Sequence, residues 1–267
     1  MAASEGVDLE WAIVKLGQGQ DIKSLKKQYS SRIVDQAQKA YRHITTKLGK
    51  NITLKHSDEL GISGNPEPKT DIVAIRNRTN YYISVKMEGG IQLASGQGAS
   101  TASLFKETGN VVFKNDKNKL AQVNSLANVL EKLPTRLLAP QNLERILEEA
   151  NPKVLKEFTK AGKILPEKNA ESWLREAKPK IITDIKRFME SNPEFYKEMI
   201  REALSGKRTL AKFKGAAADH ILSPAGFYKI DDSYVNRVKG KVKLDVRSKS
   251  RSGITSIAFR IETVGSI

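Results

Sequence analysis

Asp71, Lys86 and Glu88 are the residues of this chain whose types and spacing could do chemistry. They lie in "PKTDIVAIRNRTNYYISVKMEGG", residues 68–90, where an acid opens one β-like run and a lysine sits inside the next. An Asn/Arg/Thr turn separates the two runs. Alternation along the second puts Ser84, Lys86 and Glu88 on one face, with Val85 and Met87 on the other. Paired as a hairpin, the start of the first run meets the end of the second, and Asp71 comes beside Lys86 and Glu88. Two carboxylates and an ammonium at one sheet edge suit metal-assisted phosphodiester hydrolysis. The carboxylates would hold a divalent cation, which stabilises the charge developing at phosphorus and acidifies its bound water. The lysine would orient or deprotonate that water and offset the developing charge. The competing explanation is a surface hairpin with scattered charge. Against it stands the setting of Lys86 in "YYISVKM", which is more apolar than a solvated strand.

Composition narrows the metal. The chain has no cysteine, and its three histidines, His43, His56 and His220, show no zinc-ligand spacing. Mg²⁺ or Mn²⁺, which take oxygen ligands, fit such a sequence better. The glycines of "GGIQLASGQG" match neither a dinucleotide fingerprint nor a phosphate-binding loop, since no Gly-Lys-Ser/Thr follows.

The elements that must position these residues follow from periodicity and punctuation. "VDLEWAIVKL" spaces Leu9, Ile13 and Leu16 at helical intervals, and a second helix runs through Ile33, Ala37, Tyr41, Ile44 and Leu48 to Gly49. "HSDELGISGNPEPKT" reads as a loop, and "GGIQLASGQGAS" as too glycine-rich for a regular element. A helix follows over "TASLFKET". Residues 117–205 read as a run of helices, two of them opened by Asn-Pro, at "NPKVLKEF" and "NPEFYKEMIREALSG". Gly206 is placed to end the latter. The tail returns to β-structure in "GFYKIDD", "KVKLDVRSKS" and "ITSIAFRIET", and His220 in "AAADHIL" reads as a helix-surface or packed histidine. The fold class expected is α+β (mixed α/β), with a core sheet, a large helical block and a C-terminal β-hairpin. The expected division is 1–116 for the core, 117–205 for the helical block and 206–267 for a basic, β-rich segment packed on the core.

The motif also carries a resemblance. "PKTD" followed after one hairpin by "ISVK" resembles the core motif of the PD-(D/E)xK, or restriction-endonuclease-like, nuclease superfamily. That resemblance implies a restriction-endonuclease-like sheet, with Asp71 as the metal-binding aspartate and Lys86 as the catalytic lysine. Val85 would offer its backbone carbonyl to the metal, and a preceding helix would supply a glutamate, for which Glu10 is the candidate. The segment "SVKMEGGIQLASG", Ser84 to Gly96, is also similar to segments of phage-encoded proteins. One departure stands out. The position that the family fills with Asp or Glu is Ser84, so a further carboxylate must come from elsewhere: Glu88 first, then Glu10, with Asp58 and Glu59 in the preceding loop. Gln92 would contact the scissile phosphate or a ligating water. If no carboxylate reaches the metal, the motif survives in a non-catalytic DNA-binding or DNA-end-binding protein of a phage or virion.

Charge points to the partner. Of a formal net charge of +16, half falls in residues 206–251, which hold 12 Lys and Arg against 4 Asp and Glu. Such an excess favours a polyanion, because each cation placed near a phosphate releases condensed counterions. In "KVKLDVRSKS" the odd positions 241–249 are charged, while Val242, Leu244 and Val246 alternate with them. Lys239, Lys241, Lys243, Arg247, Lys249 and Arg251 are expected along one hairpin, with Lys207 and Arg208 just upstream. A stripe of this kind tracks a phosphate backbone without reading bases, and no base-reading motif is present. The expected partner is DNA, duplex rather than single strand, with a homodimer or a virion assembly left open. No run approaches the length needed to cross a bilayer, and the amino terminus lacks the basic flank and apolar core of a secretory signal. A cytoplasmic protein is expected, in the host cytoplasm or the virion if phage-encoded.

Overall fold

The computed structural model describes residues 5–62, 69–89, 92–96, 98–132, 136–138, 164–209, 217–251 and 254–265. It is a mixed α+β protein, and the chain divides into two compact units. The first takes residues 1–91, 200–241 and 263–267; the second takes 92–199 and 242–262. This cut differs from the three-part division expected from composition. β-pairing decides it, because strands from residues 92–96 and from the C-terminal hairpin join one sheet.

In the first unit, helix α1 (Glu5–Gly17) and helix α3 (Ser31–Leu48) flank a five-stranded sheet, with short α2 (Ile22–Lys26) between them in sequence. The strands are β1 (Thr53–His56), β2 (Ile72–Arg76), β3 (Thr79–Val85), β7 (His220–Ser223) and β8 (Gly226–Lys229), in that spatial order. β1, β2 and β3 run antiparallel as a meander. β3 then pairs in parallel with β7, through Ile83↔His220, Ser84↔Ile221 and Val85↔Leu222. Parallel neighbours need a long crossover, and here the crossover contains the segment 92–199 of the second unit.

The helices form for the reasons their spacing gives. Ser30 caps α3, its side chain accepting from the Ile33 N–H, and Gly49 ends it at φ 82°, a conformation that favours glycine. Ile33, Ala37, Ala40, Ile44 and Leu48 form one buried stripe along α3, packed with Leu9, Ala12 and Ile13 of α1 and with Leu54, Ile72, Ala74, Ile83 and Leu222 of the sheet. Burying each Leu or Ile here stabilises the unit by about 1.5–3 kcal/mol.

The second unit contains α4 (Gly98–Val112), α5 (Lys117–Glu131) and α6 (Glu167–Ser191). Its strands are β4 (Gln92–Gly96), β5 (Arg136–Leu138), β6 (Ile164–Pro166), β9 (Val242–Arg251) and β10 (Ile254–Thr263). β10 organises the sheet, pairing with β4, β5 and β9. Gly109 of α4 allows close approach to α5, since a Cβ there would lie 2.8 Å from the Val123 side chain. Phe105, Phe113, Phe188 and Phe195 form the aromatic centre, at ring separations of 5.2–6.2 Å. α7 (Pro193–Ser205) follows, ended by Gly206 at φ 63°.

Several sequence expectations are corrected. Residues 92–96 are a strand within a glycine-rich stretch of sequence, because antiparallel pairing with β10 supplies the order that local propensity lacks. His220 opens strand β7 rather than lying on a helix surface, and it is packed, its ring stacked on Phe227 at 4.9 Å. Residues 232–239 form a helix, α8 (Asp232–Lys239), capped by Asp231 through the Tyr234 N–H. Lys239 therefore ends a helix, and the hairpin strand begins at Val242. "NPKVLKEF" lies outside the described residues. Among the described residues, no helix is long and apolar enough to cross a membrane.

Candidate active site

Asp71 immediately precedes β2. Its N–H donates to the Ile83 carbonyl at 2.9 Å, and its own carbonyl accepts from the Ser57 N–H at 3.0 Å, so the backbone is held by strands on both sides. The β2–β3 register carries its side chain to the end of β3. There the Val85 N–H donates to Asp71 Oδ2 at 2.6 Å, and Ser84 Oγ donates to the same oxygen at 3.1 Å. Lys86, one residue past β3, is anchored by its N–H to the Leu222 carbonyl of β7 at 2.8 Å. Its Nζ stands 3.8 Å from Asp71 Oδ2, an ion pair too long for a hydrogen bond. All three contacts fall on one oxygen. Oδ1 has no hydrogen-bond partner among the described residues.

α1 brings in the second carboxylate. Glu10 Oε2 lies 3.2 Å from His56 Nε2, at the end of β1, while Oε1 has no hydrogen-bond partner among the described residues. His56 is itself fully enclosed. Its ring stacks on Trp11 at 4.1 Å and 13°, and its Nδ1 accepts from the Asp58 N–H at 3.2 Å, with Asp58 Oδ2 at 3.3 Å. Its backbone N–H donates to Glu59 Oε2 at 2.8 Å.

The electrostatics tie these groups into one cluster. Burial raises the Asp71 pKa above the ordinary aspartate value, against the opposing pull of Lys86 and of the Val85 and Ser84 hydrogen bonds. Burial also raises Glu10; the charge of Asp71 adds to the rise, while His56 and Lys86 oppose it. For His56, burial favours the neutral ring, but the Glu10 hydrogen bond and the charges of Asp58, Glu10 and Asp71 outweigh it, so its pKa is raised. A carboxylate pair that disfavours its own full ionisation is what a divalent cation would relieve.

Does the donor set fit such a cation? Among the described residues, no three Asp, Glu, His or Cys are arranged to hold a metal. Two neighbouring carboxylates completed by water nonetheless suit Mg²⁺, which takes one or two carboxylates and keeps several waters. Ser84, 1% exposed, spends its hydroxyl on Asp71 and adds no charge.

The chain matches no family model, no curated protein and no solved structure. What the site does therefore rests on its own geometry.

The structure brings Asp71, Lys86, Val85 and Glu10 together and leaves Glu88 out. β3 ends at Val85, so the alternation that put Glu88 on the face of Lys86 no longer applies, and Gly89 turns the chain at φ 119°. Glu88 lies 4.0 Å from Lys39 Nζ, and its N–H donates to Gln36 Oε1 at 3.1 Å. Asp58 and Glu59 attend His56 rather than Asp71. Gln92 opens β4, opposite Glu262 of β10 in the second unit.

The expected phosphate-gripping residues fall in different places. Lys207 and Arg208 occupy a turn after α7, organised by buried Glu202, whose Oε1 accepts from the Arg208 N–H at 2.8 Å and from the Thr209 N–H at 2.7 Å. Lys239 ends α8 and Lys241 follows it, both in the first unit. Lys243, Arg247, Lys249 and Arg251 belong to β9. The alternation expected there holds as far as the side chains are described: Leu244 and Val246 are buried, and Lys243 is exposed. Asp245, the break in the stripe, is paired to Lys178 at 3.0 Å.

Sequence reasoning missed His56. Its spacing matches no ligand pattern, yet it contacts three of the acids considered, Glu10, Asp58 and Glu59. The one local signal was the alternation of "TLKH", four residues whose burial alternates exposed and buried.

Proposed function

We propose that this protein is a Mg²⁺- or Mn²⁺-dependent nuclease of the PD-(D/E)xK kind that hydrolyses phosphodiester bonds in DNA. The observation that carries the reading is the convergence of helix-borne Glu10, strand-edge Asp71 and Lys86 at one end of a sheet, with the lysine 3.8 Å from the aspartate. Asp71 and Glu10 would hold the cation, with the Val85 carbonyl as the further donor that the resemblance implies. The bound cation supplies an acidified water and neutralises charge on the scissile phosphate. Lys86 orients the attacking water and offsets charge as the phosphorus becomes five-coordinate. The Val85 N–H and Ser84 hydroxyl fix Asp71 Oδ2, so the carboxylate does not turn away from the site. Lys207, Arg208, Lys239 and Lys241 in the first unit, and Lys243, Arg247, Lys249 and Arg251 in the second, are the candidate phosphate contacts of each unit.

A second reading is favoured by one specific observation. Ser84 is a neutral, buried hydroxyl at the position of the family's acid, and it already donates to Asp71. On that reading the protein binds DNA or DNA ends, in a phage or virion, without cutting. Cleavage assays on plasmid and linear DNA with each metal, paired with binding measured across salt concentrations, separate the two. Cutting abolished by Asp71→Asn supports the nuclease; salt-sensitive binding without cutting supports the binder.

A further inference from the structure

We propose that His56 is the positioning residue of this site, holding one oxygen of Glu10 so that the other is kept for the divalent cation shared with Asp71. The inference rests on the metal-site reading above and assigns a role to a residue outside the ligand set. His56 is 3% exposed, with both ring nitrogens and one ring face engaged. Nε2 lies 3.2 Å from Glu10 Oε2, while Nδ1 is engaged by Asp58, its N–H at 3.2 Å and its Oδ2 at 3.3 Å. Trp11, next to Glu10 on α1, stacks on the ring face at 4.1 Å and fixes its plane, so one helix supplies both the carboxylate and the constraint on its partner. His56 also ends β1 opposite Ile72, one residue from Asp71, and the following Ser57 N–H donates to the Asp71 carbonyl. The two carboxylates are thus registered to one another through this corner. A residue needed only to fill space here would require neither nitrogen. An outer partner of this type typically changes metal affinity 10–100-fold when removed.

The test is calorimetric titration of Mn²⁺ into the intact metal-free protein and its His56→Phe and His56→Gln variants. Phe keeps the ring and loses the donor; Gln keeps a donor near the place of Nε2. Binding weakened 10–100-fold in His56→Phe and restored to within a few-fold in His56→Gln is the expected result. Equal affinity in wild type and His56→Phe overturns the positioning role while leaving the metal site standing. No Mn²⁺ binding by the wild type overturns the metal site and this inference with it. A second readout needs no change at His56. The chain has two tryptophans, so in a Trp173→Phe background Mn²⁺ should quench Trp11 emission at the calorimetric midpoint. Unquenched emission at saturating Mn²⁺ overturns the placement of the cation beside the Trp11–His56–Glu10 corner.

Discussion

Asp71→Asn and Lys86→Ala should have opposite effects on stability, although both remove function. Burial raises the Asp71 pKa above its ordinary value of 3.8. The native protein then binds this proton more tightly than the unfolded chain does. Stability therefore falls as pH rises from the ordinary value through the raised one, and the loss is complete above that window. Asp71→Asn removes the charge yet keeps an oxygen to accept the Val85 N–H. At pH 8 it should melt no lower than wild type. Lys86→Ala does the reverse, leaving a buried carboxylate without its cation. Unit charges 3.8 Å apart attract by about 4 kcal/mol at an effective dielectric of about 20. About a quarter of the lysine and a fifth of the aspartate side chain remain open to solvent, which reduces the net loss to about 1–2 kcal/mol. For a chain of this size that lowers Tm by roughly 2–8 °C at pH 8. The deficit should shrink in acid as Asp71 takes up its proton. Calorimetric or dye-monitored melting of the metal-free proteins at pH 4, 6 and 8 reads all of this. Equal destabilisation by both variants at pH 8, or a Lys86→Ala deficit that does not change with pH, would refute the reasoning.

Three further outcomes are expected. Ser84→Asp places a third carboxylate beside Asp71; it should lower the metal-free Tm and enlarge the Tm gain on adding Mg²⁺, since ligand at a hundredfold excess over Kd stabilises by about 2.7 kcal/mol. Lys241→Glu and Lys243→Glu should each weaken DNA binding without regard to sequence, and reduce the salt slope by about 1 for each phosphate no longer neutralised, read by anisotropy across salt concentrations. Glu202→Ala should cost about 1–3 kcal/mol by unpairing the Arg208 and Thr209 amides, and hydrogen exchange at those two amides should accelerate.

What was legible in the sequence was local. The stripe on α3 and the spacing on α1 mark the two helices that back the sheet, and the hairpin around Asn77 and Arg78, both at positive φ, was readable from its turn. Asp71 and Lys86 were found because one hairpin carries both, and Glu10 because a family pattern asks for a helix-borne acid. The rest depends on distant pairing. β7 is four residues long and sits beside β3 only after the whole crossover, so the strand that His220 opens had no local signal. β4 owes its order to β10, more than 150 residues later in the chain, which no local pattern announces. Glu88 was misplaced because period-two alternation was carried past Val85, where β3 stops. Helix α8 did have a signal, Asp231 followed by Val235 and Val238 at helical spacing, which the surrounding β-rich composition obscured.

The most direct test of the central claim is cleavage of plasmid and linear duplex DNA in Mg²⁺ or Mn²⁺ by the intact protein, with Lys86→Ala and Asp71→Asn alongside. The account predicts metal-dependent cutting by the wild type, at least about a hundredfold weaker in either variant, with salt-sensitive DNA binding retained in all three. Intact DNA under both metals, with that binding still present, would contradict it: Asp71, Glu10 and Lys86 would then be a buried charge cluster in a protein that holds DNA without breaking it.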